Sequence, residues 1–135
     1  MRFVERCEFG GDPGEVWARV SDLDAIPTYW HGTREISVTR EGGKTRAEVV
    51  FAFGGKGSAE VTVDDRSRTL TLDYVRGPFQ GKQAVTVKES AVEAEWDVEF
   101  RGAYKLIGPM NVSHFRSGTR NALKRLCTEP ASRSE

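Results

Sequence analysis

Hydrophobic and polar residues alternate with a period of two through most of the chain between Ile36 and Arg101. The clearest stretch is residues 92–101, in which apolar side chains alternate without exception with acidic residues and a final arginine. Such alternation is typical of antiparallel strands with one buried face and one solvent-exposed face. The pattern predicts six strands here, and a further strand over residues 2–9, where Phe3, Cys7 and Phe9 share a face.

Two short turn sequences predict how neighbouring strands pair. The Gly42-Gly43 and Glu89-Ser90 dipeptides each separate two alternating runs, as two-residue hairpin turns do. Hairpins centred on these dipeptides place apolar residues opposite one another on one face of the sheet. The predicted pairs are Ile36 with Val49, Val38 with Ala47, Gln83 with Trp96, Val85 with Ala94, and Val87 with Val92.

Helical signals flank the region of strands. Asp12 followed by Pro13 predicts the start of a short helix, because aspartate caps helices and proline suits the first helical position. A second short helix is predicted from about Asp22, with Pro27 interrupting or ending it, and residues 29–32 are predicted to form a loop. A spacing of three and four predicts a long helix over about residues 109–127. Its apolar stripe comprises Val112, Phe115, Thr119, Ala122, Leu123 and Leu126.

The order of these elements and four sequence segments carry a resemblance to a known superfamily. The segments are residues 13–20 (PGEVWARV), 21–30, 77–81 and 123–126. The chain resembles the START/Bet v 1-like superfamily, also called SRPBCC, and especially its polyketide cyclase/dehydrase and lipid-transport branch. The resemblance implies an α+β helix-grip fold, in which a seven-stranded curved antiparallel sheet surrounds a long C-terminal helix and two short helices follow strand 1. It covers nearly the whole chain, so we expect one domain over residues 1–128 and a polar tail over residues 129–135.

In such proteins a cavity between sheet and helix takes hydrophobic ligands, and strand parity predicts which side chains would face it. Gly118, in the middle of the long helix, has two interpretations: it allows close packing on the sheet, which we favour, or it leaves room for a ligand. The predicted ligand-binding residues are Tyr29, Trp30, His31, Phe51, Phe53, Leu72, Tyr74, Gln83, Val85, Trp96, Val98, Phe115 and Thr119.

Three of these residues are polar and could orient a ligand, and each of them has two interpretations. Gln83 and Tyr74 are predicted to face inward on neighbouring strands, where they either bond to each other or orient a ligand's oxygen atoms. His31 follows two aromatic residues in the loop that, in the family, rims the cavity, although a surface histidine is the simpler interpretation. His114 is predicted to face solvent beside the apolar stripe of the long helix.

The face of the strands on which the acidic residues are predicted to lie argues against catalysis. Most acidic residues in the predicted strands fall on the outer face, and only Glu5 shares a face with Phe3 and Cys7. A buried Glu5 would have a raised pKa and could act as an acid or base. We prefer an ion pair with Arg125 or Lys124, which leaves Glu5 and His31 as weak catalytic candidates only. A polyketide cyclase or dehydratase using Glu5, His31 or Tyr74 is therefore the second hypothesis.

Composition narrows the classes of partner. Twenty basic and twenty acidic residues give a formal net charge of zero, which disfavours nucleic acid binding. No apolar run has the ~20 residues of a membrane span, and no signal-peptide core begins the chain, so we expect no stable membrane insertion and a cytoplasmic protein. The two histidines and two cysteines have no metal-ligand spacing, so no metal and no cofactor are predicted. Cys7 and Cys127 are expected to be free buried thiols, with a disulfide as the alternative.

Three functions remain open at this point. The first is a carrier or sensor of a small hydrophobic molecule, such as a lipid, quinone or polyketide. The second is the cyclase or dehydratase. The third is a protein-interaction module without internal ligand, which contacts its partner through the acidic outer face of the strands; a homodimer is also left open. A core with no volume near Gln83 and Trp96 would exclude the first two.

Overall fold

The computed structural model describes residues 1–107 and 112–128. Seven antiparallel strands form a single sheet with the order β1-β7-β6-β5-β4-β3-β2. The strands are β1 Arg2–Glu8, β2 Thr33–Glu41, β3 Lys44–Phe51, β4 Lys56–Asp64, β5 Thr69–Arg76, β6 Phe79–Val87 and β7 Ala91–Phe100. The helices are α1 Pro13–Ser21, α2 Ile26–Tyr29, α3 Tyr104–Ile107 and α4 Val112–Thr128, with a 3-10 turn over Leu23–Ala25. The predicted helix-grip fold is confirmed.

Both predicted hairpin registers are confirmed. Val38 pairs with Ala47 across the Gly42-Gly43 turn, and Gln83 pairs with Trp96 across the turn at Glu89-Ser90. Along β7 the apolar residues at even positions from 92 to 98 are buried, and the acidic residues between them are half-buried or exposed. The alternation therefore marks a sheet with one dry face, as hydrophobic burial requires.

The long helix α4 covers the dry face of the sheet, mainly over β1 and β7. Its buried residues are Thr119, Ala122, Leu123 and Leu126, which are part of the predicted stripe. Near its C-terminus the Arg125 guanidinium donates a 2.9 Å hydrogen bond to the carbonyl oxygen of Tyr29 in α2. The helix thereby holds the segment that leads into residues 30–33. The predicted helix start at Pro109 and the predicted tail from residue 129 lie outside the described residues.

Two local predictions were wrong. Pro27 stands in the first turn of α2, where its missing N–H is not needed, so it neither interrupts nor ends this helix, which runs from Ile26 to Tyr29. Phe53 is not in a strand, because the Phe51 N–H donates to the Gly55 carbonyl oxygen and closes a tight turn after β3. The left-handed φ of +103° at Gly54 permits that turn.

One glycine has a structural requirement in the sheet. Gly81 of β6 has φ +131°, and a Cβ there would lie 2.8 Å from the Cα of Val98 on β7. A side chain at this position would collide with backbone that cannot move aside. Glycine inside a strand allows this close approach of the neighbouring backbone. Two residues earlier, the Phe79 ring lies 6.0 Å from the Phe115 ring of α4, measured between centroids.

A candidate ligand-binding groove

A groove of about 210 Å³ opens between α4, the turn after β3 and the segment after α2. We call it the outer groove. It is lined by Trp30, Gly32, Thr33, Phe51, Ala52, Phe53, Trp96, His114, Phe115 and Gly118. Among these described wall residues there is no carboxylate, and aromatic side chains provide most of the surface. A concave, mainly apolar wall of this kind is typical of small-molecule sites.

Aromatic side chains pack closely along the wall of the outer groove. The Phe115 ring of α4 lies 5.6 Å from the Trp96 ring and 6.3 Å from the Phe53 ring, measured between centroids. Phe53 stacks on Phe51 at 5.2 Å with nearly parallel planes, yet 52% of Phe53 remains exposed. A large apolar side chain held open to solvent at the edge of a groove is suited to contact with a bound molecule.

Gly118 leaves the helix side of the groove empty. A Cβ built at this position meets nothing within 4 Å, and the residue is exposed. The preferred prediction that this glycine allows close packing of helix on sheet was therefore wrong. The alternative, that it leaves room beside the sheet, agrees with its place in the groove wall.

Deeper in the molecule the space between sheet and helices is almost filled, so the hollow expected beside Gln83 is nearly absent, whereas the volume beside Trp96 belongs to the outer groove. An inner cavity of about 10 Å³ remains, which is no more than the volume that one water molecule requires. It is lined by Ile26, Tyr29, Trp30, Thr33, Ile36, Val49, Leu70, Leu72, Tyr74, Gln83 and Val85. Trp30 and Thr33 line both spaces and so lie between the inner cavity and the outer groove.

The polar groups of the interior already have partners. The Tyr74 hydroxyl donates a 2.9 Å hydrogen bond to the side-chain oxygen of Gln83, so the predicted polar pair is present and fully buried. Burial raises the pKa of the Tyr74 hydroxyl well above its ordinary value. The Trp96 indole N–H donates to the Thr119 hydroxyl at 3.0 Å, and that hydroxyl donates to the Phe115 carbonyl oxygen at 2.8 Å. The first of these bonds ties the sheet-facing side of α4 to β7 beside the groove.

Comparison with known proteins places this geometry in a family. The family model for polyketide cyclase / dehydrase and lipid transport matches residues 2–133. The chain belongs to this family. The predicted membership of the START/Bet v 1-like superfamily is thereby confirmed. The description of the family names both an enzymatic and a transport activity, so membership alone does not distinguish the two.

Solved structures similar to this member of the polyketide cyclase/dehydrase and lipid transport family share its fold. The Zhui aromatase/cyclase from Streptomyces sp. R1128 aligns with a TM-score of 0.73 at 11% identity, covering 95% of this chain and 96% of that chain. Norcoclaurine synthase from Thalictrum flavum gives 0.68 at 14% identity, with 96% and 94% covered. A START superfamily protein from Mycobacterium smegmatis gives 0.64 at 14% identity, with 93% and 98% covered. No curated protein matches the chain. At these identities the likeness concerns the fold alone.

Glu5 faces the helix rather than the groove. Its carboxylate, 10% exposed, accepts hydrogen bonds from Arg116 at 2.8 Å and Arg120 at 2.9 Å. Burial raises the pKa of Glu5, but the hydrogen bonds and charges of Arg120 and Arg116 outweigh it, so the pKa is lowered. The preferred ion pair is therefore present, but the expected partners Arg125 and Lys124 were wrong, and the lowered pKa argues against the alternative of a buried acid or base.

The two histidines lie at different distances from the groove. His31 is exposed, and its Nε2 lies 3.3 Å from the Thr28 carbonyl oxygen in a local turn. It is next to groove residues in the chain but is not among those that line the wall. His114, predicted to face solvent, is exposed and also lines the outer groove. It is the only titratable side chain among the described wall residues.

The predicted site residues separate into three groups. Trp30, Phe51, Phe53, Trp96 and Phe115 line the outer groove, and a second group borders only the inner cavity. This second group is Tyr29, Leu72, Tyr74, Gln83 and Val85. Val98, Thr119 and His31 line neither space. The alternation along the strands predicted which side chains face inward. It could not identify five further wall residues, because their positions depend on the turns, on the start of β2 and on the packing of α4. These residues are Gly32, Thr33, Ala52, His114 and Gly118.

The cysteines are free, half-buried thiols that lie side by side. The Cys127 sulfur lies 3.3 Å from the Cys7 carbonyl oxygen. Burial, followed by the neighbouring Cys7 thiol, raises the pKa of Cys127 to about 12. No three metal-ligating side chains converge within the described ranges.

Proposed function

We propose that this protein binds a small hydrophobic molecule in the outer groove and acts as a carrier or sensor of it. The observation that carries the proposal is the open aromatic wall opposite Gly118, where a helix position without a side chain faces an unfilled volume of about 210 Å³. The nearby interior polar groups of Trp96, Thr119 and Tyr74 already have protein partners. A ligand therefore gains most of its binding energy from apolar contact.

The size of the groove limits the ligand that it accepts without rearrangement. Sites for drug-sized molecules have volumes of about 300–1,000 Å³, which exceeds the outer groove alone. A small or flat aromatic molecule fits the present shape. A longer ligand requires Trp30 and Thr33 to move, which would join the outer groove to the inner cavity and bring the ligand to Gln83 and Tyr74. The ligand is therefore a compact ring system or a chain that enters by displacing Trp30.

Native mass spectrometry of freshly purified protein, compared with its organic extract, tests the proposal first. A co-purifying apolar molecule is the expected result. The neutral fluorophore N-phenyl-1-naphthylamine gives a second test, because its emission rises in an apolar site and a true ligand displaces it. The absence of both a co-purifying molecule and fluorophore binding would contradict the proposal.

Variants of neighbouring helix residues locate the site. Gly118→Trp fills the groove and should weaken fluorophore binding at least about tenfold, which corresponds to about 1.4 kcal/mol. Ser117→Trp is the matched control, because residue 117 is exposed on the same helix turn but does not line the groove. Equal affinities of the two variants would place the binding site elsewhere.

His114 favours a second candidate, a cyclase or dehydratase activity on the bound molecule. Its imidazole is the one described wall group that could transfer a proton, whereas Glu5 is held by two arginines away from the groove. Prolonged incubation of the extracted molecule with excess protein tests this candidate by mass spectrometry. A product lacking the elements of water, formed by the wild type but not by His114→Gln, would support the enzyme. An unchanged molecule supports the carrier.

A further inference from the structure

The end of the sheet at which the outer groove opens differs in charge from the opposite end. We define the groove end as residues 30–34, 50–57, 75–80 and 99–107, which connect elements there and include the adjoining strand residues. These segments contain the single acidic residue Glu99. Their basic residues are Arg34, Lys56, Arg76, Arg101 and Lys105. A chain whose net charge is zero therefore has a strongly basic groove end.

The opposite end carries both signs of charge. It comprises residues 7–14, 40–45, 63–70 and 86–92 under the same definition. Its basic residues are Arg40, Lys44, Arg66, Arg68 and Lys88, and its acidic residues are Glu8, Asp12, Glu41, Asp64, Asp65 and Glu89. The two ends have equal numbers of basic residues, so the asymmetry arises from the near absence of acidic ones around the groove.

The basic side chains of the groove end have no charged partners in the part of the chain that the structure describes. All five are exposed, and within residues 1–107 and 112–128 none of them makes an ion pair or a side-chain hydrogen bond. Elsewhere arginines are paired across the sheet, as Arg46 is with Glu60 and Arg6 is with Glu93. Five unpaired cations at one end of a small protein produce a positive field that favours a negatively charged partner.

Large apolar side chains are exposed at the same end. Leu106 of α3 is 81% exposed, Phe53 is 52% exposed and Val75 is 37% exposed. The other large apolar residues with comparable exposure among those described are Val4 and Val63, which lie outside the groove end. Tyr104 of α3 packs against Phe53 with 6.1 Å between ring centroids, so α3 and the turn after β3 form one surface beside the groove mouth.

We propose that the groove end docks this protein onto an anionic lipid bilayer. A bilayer surface attracts exposed lysine and arginine without requiring a fixed geometry, and it accepts protruding apolar side chains between its head groups. A stable protein interface needs a complementary surface of roughly 1,000 Å² or more, whereas three separate apolar side chains supply only points of insertion. The inference depends on exposed charge and apolar side chains, and it stands whether or not the outer groove holds a ligand.

Vesicle co-sedimentation of the full chain tests the inference. We expect binding to phosphatidylcholine vesicles that contain phosphatidylserine, little binding to phosphatidylcholine alone, and release as salt is raised. The double variant Arg101→Glu/Lys105→Glu should lower the partition coefficient at least about 25-fold, since each basic residue near such a surface is worth about fivefold. Arg40→Glu/Lys44→Glu, the matched control, makes the same change of net charge at the opposite end and should leave binding within about twofold of the wild type.

A third variant separates a bilayer from other acidic partners. Leu106→Ser keeps every charge and should weaken vesicle binding about tenfold by removing an inserted side chain. Near-ultraviolet circular dichroism checks that each variant is folded. Absence of binding to anionic vesicles, or equal loss in both double variants, overturns the proposal. Binding to soluble polyglutamate as tight as to vesicles, with no effect of Leu106→Ser, would instead assign the surface to an acidic protein.

Discussion

Replacing Gly118 with alanine distinguishes an empty groove from tight packing. Glycine within a helix costs about 0.8–1 kcal/mol relative to alanine, because the unfolded chain has more freedom to lose. The added methyl group meets nothing within 4 Å, so no steric cost offsets this gain. We therefore expect Gly118→Ala to raise the free energy of unfolding by about 0.8 kcal/mol.

Thermal and urea unfolding followed by circular dichroism measure the effect. For a chain of this length the gain corresponds to an increase in Tm of about 3 °C. Ser117→Ala is the control at the next exposed position, where helix propensity alone predicts a gain of about half that size. N-phenyl-1-naphthylamine binding should change little with alanine and fall with tryptophan at position 118, because only the larger side chain fills the groove.

A loss of stability in Gly118→Ala would refute the reasoning. It would mean that the helix lies closer to the sheet in solution than the structure places it, and that the small residue serves packing. Unchanged fluorophore affinity in Gly118→Trp, with a normal fold, would separate the groove from the binding site even if the stability gain were observed.

Three further predictions concern the polar and sulfur groups outside the groove. Glu5→Gln removes a carboxylate held by two arginines and should lower stability by about 1 kcal/mol at neutral pH while leaving fluorophore binding unchanged. Because the pKa of Glu5 is lowered in the folded protein, the carboxylate stabilises the fold above pH about 4.5, and this stabilisation is lost as the pH falls through the folded pKa. Urea titrations at acid pH should therefore show the wild type and Glu5→Gln converging in stability. Tyr74→Phe leaves the buried Gln83 amide without its 2.9 Å partner and should lower the free energy of unfolding by about 1–3 kcal/mol. Adding Gln83→Leu should recover part of this loss. Full additivity of the two substitutions in a double-mutant cycle would contradict the hydrogen bond. Treatment with glutathione disulfide should join Cys7 and Cys127, which are 120 residues apart in the chain, and raise the free energy of unfolding by up to about 5 kcal/mol. Alkylation followed by intact-mass measurement detects the disulfide. Two thiols that are still alkylated after treatment would show that the sulfurs cannot meet.

Alternation and turn chemistry determined most of the sheet. A strand with one buried face places every second residue on that face, so the pairing of Val38 with Ala47 and of Gln83 with Trp96 followed from period and turn position alone. Parity likewise predicted that Tyr74 and Gln83 face inward together. Where the chain leaves this regular geometry, as at Phe53 after the tight turn, the period no longer predicts direction.

The tertiary structure decided how α4 lies over the sheet. The helix axis and its rotation depend on many side-chain contacts at once, and they determine that Glu5 meets Arg116 and Arg120. The same placement leaves Gly118 facing open space instead of the sheet and brings His114 into the wall. Likewise, basic residues spread over four distant segments become one charged surface only when the strands bring their ends together. Local patterns thus determined the elements and the dry face, while the groove and its charged rim arise from long-range packing that no local pattern encodes.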